Sequence, residues 1–177
     1  VSIHAALEAE VDRLFALAAD RLPADAEKVV DTLLAQLESG VLRAARQSED
    51  GAWHAVPWVK RGILLGFRVG RIVAHPADGT PFHFFDKHTY PTRALSLADN
   101  VRVVPGGSTI RRGAHLAPGV VCMPPMFVNV GAWVGAGTMI DSHALVGSCA
   151  QVGARVHLSA AAQVGGVLEP VNASPVV

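Results

Sequence analysis

Apolar residues in the second half of the chain recur at every sixth position. Ten consecutive steps of six hold an aliphatic residue or cysteine: Ile110, Leu116, Cys122, Val128, Val134, Ile140, Val146, Val152, Leu158 and Val164. A second series, four residues further on in each hexad, is mostly small or apolar. A period of six does not match the 3.6 residues of an α-helical turn, but it matches a short strand followed by a corner. The pattern therefore predicts a parallel β-helix in which three hexads close each triangular coil, and known hexad solenoids of this kind are left-handed.

The residue that follows the apolar position is glycine in three hexads between residues 131 and 153, at Gly135, Gly147 and Gly153. We expect these glycines at tight corners, where a positive φ costs glycine little. Asp141 occupies the same slot in a fourth hexad. An aspartate at a corner commonly binds nearby backbone amides, so from the residues alone Asp141 is either a turn residue or a functional carboxylate.

The first 100 residues follow a different pattern, which predicts a mixed, mostly helical domain at 1–100 before the β-helix at 101–177, and an α+β fold class overall. "SIHAALEAEVDRLFALAADRL" places apolar residues at helical spacing before Pro23, and "ADAEKVVDTLLAQLESG" predicts a second amphipathic helix with Gly40 as its C-cap. The predicted inward positions are Ile3, Leu7, Val11, Leu14, Phe15 and Ala18 in the first helix, and Val29, Leu33, Leu34 and Leu37 in the second.

Three further segments complete this first domain. "VLRAARQSEDGAWHAVPW" predicts a β-hairpin with Asp50 and Gly51 in the turn. "VKRGILLGFRVG" fits either a helix or a buried strand, and we favour the helix. "HPADGTPFHFFDKHTYP" is predicted to be loop-rich.

Composition narrows the classes of function. Among the 177 residues, 15 basic side chains balance 15 acidic ones without a long run of either sign, which argues against a nucleic-acid surface or a polybasic membrane patch. The sequence has no apolar run of membrane-spanning length and no signal-peptide pattern at its start. Its two cysteines, Cys122 and Cys149, suit a reducing compartment, and we expect a cytoplasmic protein.

Long segments of the chain closely resemble tetrahydrodipicolinate N-succinyltransferases, a hexapeptide-repeat acyltransferase family. The resemblance is carried by "LESGVLRAARQSEDGAWHAVPWVKRGILLGFRV", "FFDK", "VRVVP", "GTMID", "VGSCAQVG" and "GGVLEP". It implies a homotrimer with active sites between neighbouring subunits. It also implies transfer of the succinyl group of succinyl-CoA, a co-substrate and not a resident cofactor, to an amine in the diaminopimelate route to lysine.

The same resemblance assigns roles to particular residues. The family's substrate-binding arginine corresponds to Arg102 in "VRVVP", and its substrate-binding acid to Asp141 in "GTMID", which would also help to deprotonate the amine. We further expect the CoA pocket to be walled by Ser148, Ser159 and Gly166.

The chain departs from the family pattern in two places. Ala160, Ala161 and Gln163 stand where the family has glycine, and their Cβ atoms could crowd a pantetheine channel. The family's second acid and further CoA-binding coils lie beyond "GGVLEP", so we expect a shortened chain. Two alternatives therefore stay open: an N-acyltransferase with a different acceptor amine, and a non-catalytic homologue.

Other candidate chemistry is weaker. Many hexad acyltransferases use a histidine base, but His143 replaces the family's usual tryptophan, and we do not favour it as the base. Cys149 is interpreted as a small core residue and not as a nucleophile. His83, His88 and Asp86 invite a zinc site, but these residues precede the repeats, and no metal is expected.

Overall fold

The computed structural model describes residues 4–75 and 83–177, and its first part is built from three helices and two β-hairpins. The elements are α1 (Ala5–Phe15), α2 (Ala26–Ser39), β1 (Ala45–Gln47), β2 (Trp53–Ala55), α3 (Pro57–Val69), β3 (Ile72–His75) and β4 (Phe84–Lys87), with short 3-10 turns at Ala19–Arg21 and Leu97–Asp99. The helices α1 and α2 pack on α3 around a shared apolar core. Within the described residues, no helix is long and apolar enough to cross a membrane.

The local predictions for this part are largely confirmed. The first hairpin pairs Gln47 with Trp53 across the predicted turn, and the ambiguous segment after it is the helix α3. Gly40 ends α2 in the left-handed conformation, at φ 79°, and a Cβ on it would lie 2.5 Å from the ring of His115. This glycine is therefore required both by the helix end and by the close approach of the β-helix.

Some details of these predictions were wrong. Helix α1 ends at Phe15, and the predicted inward residue Ala18 is exposed, because the backbone leaves the helix before Pro23. The segment expected to be loop-rich contains the strand β4, whose residues Phe84–Lys87 pair antiparallel with Ile72–His75. Aromatic residues favour a strand here over a loop. Ile3 and the part of the predicted loop at 76–82 lie outside the described residues.

From residue 102 the chain forms a left-handed parallel β-helix of about four coils, as the hexad pattern predicts. Strands two residues long succeed one another: β5 (Arg102–Val103), β6 (Thr109–Ile110), β7 (His115–Leu116), β8 (Val121–Cys122), β9 (Phe127–Val128), β10 (Trp133–Val134), β11 (Met139–Ile140), β12 (Leu145–Val146), β13 (Gln151–Val152), β14 (His157–Leu158) and β15 (Gln163–Val164). Strands three apart pair in parallel, so that Met139 lies beside Val121 on one side and His157 on the other. Each coil therefore takes 18 residues, and three flat faces result.

The predicted inward residues fill the interior of the coils. Both hexad series form one buried cluster from Ile110 to Val152, with Leu158 and Val164 packed at its edge. Because each short strand contributes a single inward side chain, the core is a stack of aliphatic layers.

The corner geometry differs from the prediction for glycine. Gly135, Gly147 and Gly153 are not in the left-handed region. Most coil corners are β-turns in which the fourth residue's N–H donates to the carbonyl of the first, as Ala144 does to Asp141, and the third residue carries the positive φ. The left-handed residues are spaced by six positions, except that Pro125 is skipped because proline cannot adopt a positive φ; they are Gly113, Gly119, Gly131, Gly137, His143, Cys149, Arg155 and Ala161.

The N-terminal part and the β-helix share contacts across a broad junction. Arg112 pairs with Asp31 at 2.8 Å, and the N–H of Gly113 donates to the carboxylate of Glu38 at 2.9 Å. Val130 and Cys149, both from the β-helix, belong to the core cluster of the helices. The helices are therefore packed on the side of the coils as well as preceding them in sequence.

Lys60 lies at this junction and is fully buried, at 0% exposure. Its Nζ donates to the carbonyl of Ala173 at 3.3 Å, and among the described residues it has no carboxylate partner. Burial lowers the pKa of Lys60. The folded protein therefore releases this proton at a lower pH than the unfolded chain does.

Replacing Lys60 with methionine is expected to remove this pH dependence. In the native protein the lysine makes stability rise with pH between its lowered folded pKa and the ordinary lysine pKa, by at most about 1.4 kcal/mol per pH unit. The free energy of unfolding of Lys60→Met and of the native protein would be measured with urea from pH 7 to 10. The variant should be the more stable, and the difference should be largest at pH 7. Lys28→Met, at an exposed lysine, is the control, and an equal change in both variants would contradict the prediction.

Candidate functional site

Asp141 lies at a corner of the β-helix, directly after strand β11. It is the first residue of the turn that Ala144 closes, a position that favours aspartate because its side chain can accept backbone N–H groups. The N–H of Ser142 donates to Asp141 Oδ1 at 2.8 Å. The other oxygen, Oδ2, is free of backbone contacts and points along the outer surface toward the next coil, where it meets His157.

The ring of His157 is the second polar group at this corner. Its Nε2 lies 3.3 Å from Asp141 Oδ2, and the two side chains are 59% and 29% exposed, respectively. The Ser142 amide and, after it, the hydrogen bond with His157 hold the pKa of Asp141 below its ordinary value. Asp141 is therefore an ionised carboxylate at physiological pH, with one oxygen fixed by the backbone and the other shared with an imidazole.

Replacing His157 with phenylalanine is expected to raise the pKa of Asp141 part of the way toward its ordinary value, because the Ser142 amide remains. A carboxyl group whose pKa is lowered in the folded state stabilises the fold at pH values above its pKa in the unfolded chain. This contribution is lost as the pH falls through its pKa in the folded state. The carboxyl carbon shift of Asp141, followed by NMR from pH 2 to 6, measures the change. His83→Phe, at an exposed histidine of the first domain, should leave the titration unchanged. An unaltered titration in His157→Phe would rule out the coupling.

Arg102 lies on the same face of the β-helix as Asp141. Strand β8 separates β5, which carries Arg102, from β11, so the two strands are roughly 10 Å apart. Arg102 is exposed beside a shallow cavity of about 490 Å³, and Val103 and Leu97 next to it are exposed apolar residues. The guanidinium and the carboxylate thus share an open surface with an apolar border.

The three residues predicted to wall the CoA pocket occupy two corners. Ser159 lies one coil beyond Asp141, at the same corner, and is exposed. Ser148 and Gly166 stack on each other at the next corner, where a Cβ on Gly166 would lie 2.1 Å from the amide nitrogen of Ser148. Within one chain, Ser159 therefore lies at the same corner as Asp141. Ser148 and Gly166 lie at the next corner, across one face of the β-helix.

Ala160, Ala161 and Gln163, which stand where the family has glycine, lie in the corner after β14 and on the following strand, β15. Ala160 and Ala161 are exposed, and Ala161 adopts φ 61°, a conformation that glycine would take with less strain. Gln163 is exposed on β15 and donates to the carbonyls of His143 and Ala161, each at 3.2 Å. The added side chains thus point outward and leave the coil geometry intact.

The weaker candidates, His143 and Cys149, both within the described ranges, make no hydrogen bond to the Asp141 carboxylate. His143 is exposed at the left-handed position of the same turn, at φ 63°. Cys149 is buried under the helices, and burial raises the pKa of its thiol to about 12, so it is an unreactive thiol at neutral pH.

Two of the three residues considered for zinc are engaged elsewhere, and the third, His83, is exposed. His88 lies 3.0 Å from Glu27, and Asp86 pairs with Arg111. In the part of the chain that the structure describes, no group of three or more histidine, cysteine or acidic side chains could hold a metal ion.

Sequence reasoning missed the pairing of His157 with Asp141. The signal was present, because His157 follows Met139 by one coil of 18 residues and both point outward from paired strands. A coil of three hexads places His157 beside Met139, two residues before Asp141, so the period would have brought the imidazole near the carboxylate.

The stacked two-residue strands, the left-handed turns and the functional groups at a corner define a hexapeptide-repeat β-helix protein. Comparison with known proteins narrows this class. Residues 6–69 match the family described as tetrahydrodipicolinate N-succinyltransferase N-terminal. The chain belongs to the tetrahydrodipicolinate N-succinyltransferase family.

Three relatives illustrate the extent of the similarity, and each is named 2,3,4,5-tetrahydropyridine-2,6-dicarboxylate N-succinyltransferase. The protein of Paramagnetospirillum magneticum is 46% identical over 84% of this chain and 53% of its own length. That of Polynucleobacter asymbioticus is 41% identical over 91% of the chain and 59% of its length. That of Xylella fastidiosa is 40% identical over 99% of the chain and 64% of its own length. The chain thus spans a little over half the length of these relatives.

Proposed function

We propose that this chain takes part in the transfer of a succinyl group from succinyl-CoA to tetrahydrodipicolinate, a step in the diaminopimelate route to lysine. The observation that carries the proposal is the ionised Asp141, held by Ser142 and His157 on the face that also presents Arg102. The names of the relatives give the substrate and the acyl group.

Arg102 binds a carboxylate of the dicarboxylate acceptor in this proposal. A guanidinium can bind a carboxylate through two parallel hydrogen bonds, which fixes both position and orientation. The exposed position of Arg102 beside an open cavity leaves its guanidinium accessible to such a ligand.

Asp141 binds the amine of the ring-opened acceptor and takes up its proton. A carboxylate of lowered pKa is a weak base, but it is a strong partner for a positively charged ammonium group. Asp141 therefore acts chiefly by holding the nitrogen in place, and His157 beside Oδ2 offers the proton a second acceptor.

The chemical step requires no covalent intermediate on the protein. The neutral amine attacks the thioester carbonyl, a C–N bond forms, and the C–S bond breaks as the CoA thiolate leaves and becomes protonated. Oriented backbone N–H groups at the coil corners are suited to stabilise the oxyanion that develops. The walls of the CoA site are Ser148, Ser159 and Gly166.

A homotrimer completes this site. Arg102 and the exposed apolar residues Leu97 and Val103 lie on one open face, which favours contact with a second copy of the chain. Ser148 and Gly166 are one face away from Asp141, so a neighbouring copy can bring the CoA corner of one chain to the substrate corner of another. The two free cysteines are consistent with action in the cytoplasm.

The decisive experiment supplies the chain with succinyl-CoA and tetrahydrodipicolinate and measures release of the CoA thiol. We expect release that depends on the acceptor and falls when acetyl-CoA replaces succinyl-CoA. Light scattering of the same sample should give the mass of three chains. Acceptor-independent release, or neither release nor binding of the acceptor in calorimetry, would overturn the proposal.

A further inference from the structure

A second cleft lies in the first part of the chain, between the start of α1, the hairpin β1–β2 and the start of α3. Its volume is about 740 Å³. Its lining combines charged and aromatic side chains. The arginines, the glutamate and the tryptophans among them are Arg43, Arg46, Glu8, Trp53 and Trp58. Two arginines against one glutamate give these lining groups a net positive charge.

Arg43, which lines this cleft, is held by contacts with three other side chains. Its guanidinium carbon lies 3.8 Å from the ring centre of Trp133 and 5.1 Å from that of Trp53, so the group packs over two indoles. Its Nε donates to the amide oxygen of Gln151 at 2.9 Å, and Gln151 is itself buried. The two terminal nitrogens have no protein partner in the described residues, and they are accessible to solvent.

This lack of an acidic partner distinguishes Arg43 from comparable arginines. Five arginines in the described residues are partly buried, and the other four each pair with a carboxylate. These four are Arg61, Arg93, Arg111 and Arg112. A guanidinium withdrawn from water is normally compensated by an anion, and here the protein supplies only a neutral amide and two ring faces.

We propose that this cleft binds a small organic oxyanion, a carboxylate or phosphate ester, on the free edge of Arg43. The two terminal nitrogens of Arg43 present parallel N–H groups, the geometry that recognises such oxyanions bidentately. Arg46 on β1 adds positive charge, and Trp53 and Trp58 offer aromatic surface to the rest of the ligand. Packing of Arg43 over Trp53 and Trp133 restrains the guanidinium before the ligand arrives, which reduces the entropy cost of binding.

The cleft is separate from the corner that carries Asp141. Arg43 packs on the face formed by β7, β10 and β13, whereas Asp141 follows a strand of a different face. Binding in the cleft can therefore be tested independently of succinyl transfer.

The three tryptophans of the chain provide a direct reporter. Two line the cleft and the third stacks on Arg43, so each indole N–H signal in a nitrogen–proton NMR spectrum senses its occupancy. The full chain would be titrated with benzoate, succinate and inorganic phosphate, and with benzamide as the neutral analogue of benzoate. We expect saturable shifts of the indole signals with at least one oxyanion and none with benzamide. Tighter binding of the carboxylates or of phosphate identifies the class of oxyanion.

Charge-removing variants locate the binding site. Arg43→Gln should weaken binding by about tenfold or more, and Arg46→Gln by a smaller factor. Arg43→Lys keeps the charge but loses the bidentate edge, so it should weaken binding by less than Arg43→Gln does. It replaces Arg43→Gln as the test if that variant does not fold. Arg21→Gln, which removes an exposed arginine outside the cleft, should change binding less than twofold.

Several results would overturn the proposal. They are the absence of saturable shifts with every oxyanion, equal binding of benzamide and benzoate, and affinities that neither Arg43→Lys nor Arg46→Gln alters. Indole shifts that follow protein concentration and not ligand would instead place a second copy of the chain in the cleft, which also contradicts a ligand site.

Discussion

Gly135→Ala is expected to destabilise the protein by about 2 to 3 kcal/mol, the cost of forcing an atom into a packed site. A Cβ at residue 135 would lie 2.5 Å from the amide nitrogen of Ala154 and 2.6 Å from the carbonyl carbon of Gly153. Both atoms belong to the backbone of the next coil, so relief requires the coils to separate. For a chain of this size the melting temperature should fall by about 5 to 10 °C.

Gly153→Ala is the matched control, because residues 135 and 153 occupy the same corner in successive coils. A Cβ at residue 153 would find its nearest neighbour, Val156 Cγ2, at an ordinary 3.8 Å. Its φ is outside the left-handed region, so we expect a change within about 0.5 kcal/mol. Urea unfolding of the two variants beside the native protein measures both values. Equal effects would mean that glycine in this slot is required by backbone conformation, and not by the approach of the next coil.

Asp141→Asn is expected to lower kcat/KM for succinyl transfer by about 100-fold or more, because the variant loses both the charge that holds the acceptor nitrogen and a proton acceptor. Asparagine keeps the oxygen that accepts the Ser142 amide, so the turn should remain intact, while the charge that holds the ammonium is lost. Binding of the acceptor, measured by calorimetry, should weaken in parallel. Rates of CoA thiol release for the variant and the native chain give the ratio.

The control for this substitution is Asp20→Asn, which removes one negative charge at an exposed position of the first domain. It should change the rate by less than twofold. If Asp141→Asn keeps more than a third of the native activity with an unchanged melting temperature, Asp141 is a turn residue and the proposed role fails.

The sequence predicted the elements whose signals are local or periodic. Helix α2 with its glycine cap, the first hairpin and the interior of the β-helix all follow from patterns within a few residues. The end of α1 at Phe15 and the strand β4 were missed, since flanking contacts decide where such short elements begin and end.

The candidate site was only partly predictable. Arg102 and Asp141 were named from short motifs, and the structure places both on one face of the β-helix. The partner His157 and the separation of Ser148 from Asp141 depend on which corner each hexad occupies. A short motif identifies the type of residue, but it does not show which residues of the neighbouring coil lie beside it.

The sequence by itself determined that the hexads from Ile110 to Val164 wind into coils, because the period of the apolar positions fixes which side chains point inward. Only the tertiary structure decided why Gly135 must be glycine and Gly153 need not be, and why Arg43 packs over two indoles without a carboxylate partner. These contacts join residues at least 10 and up to 108 positions apart in the chain. They are set by the stacking of coils and the docking of helices, which the local order of apolar and polar residues does not encode.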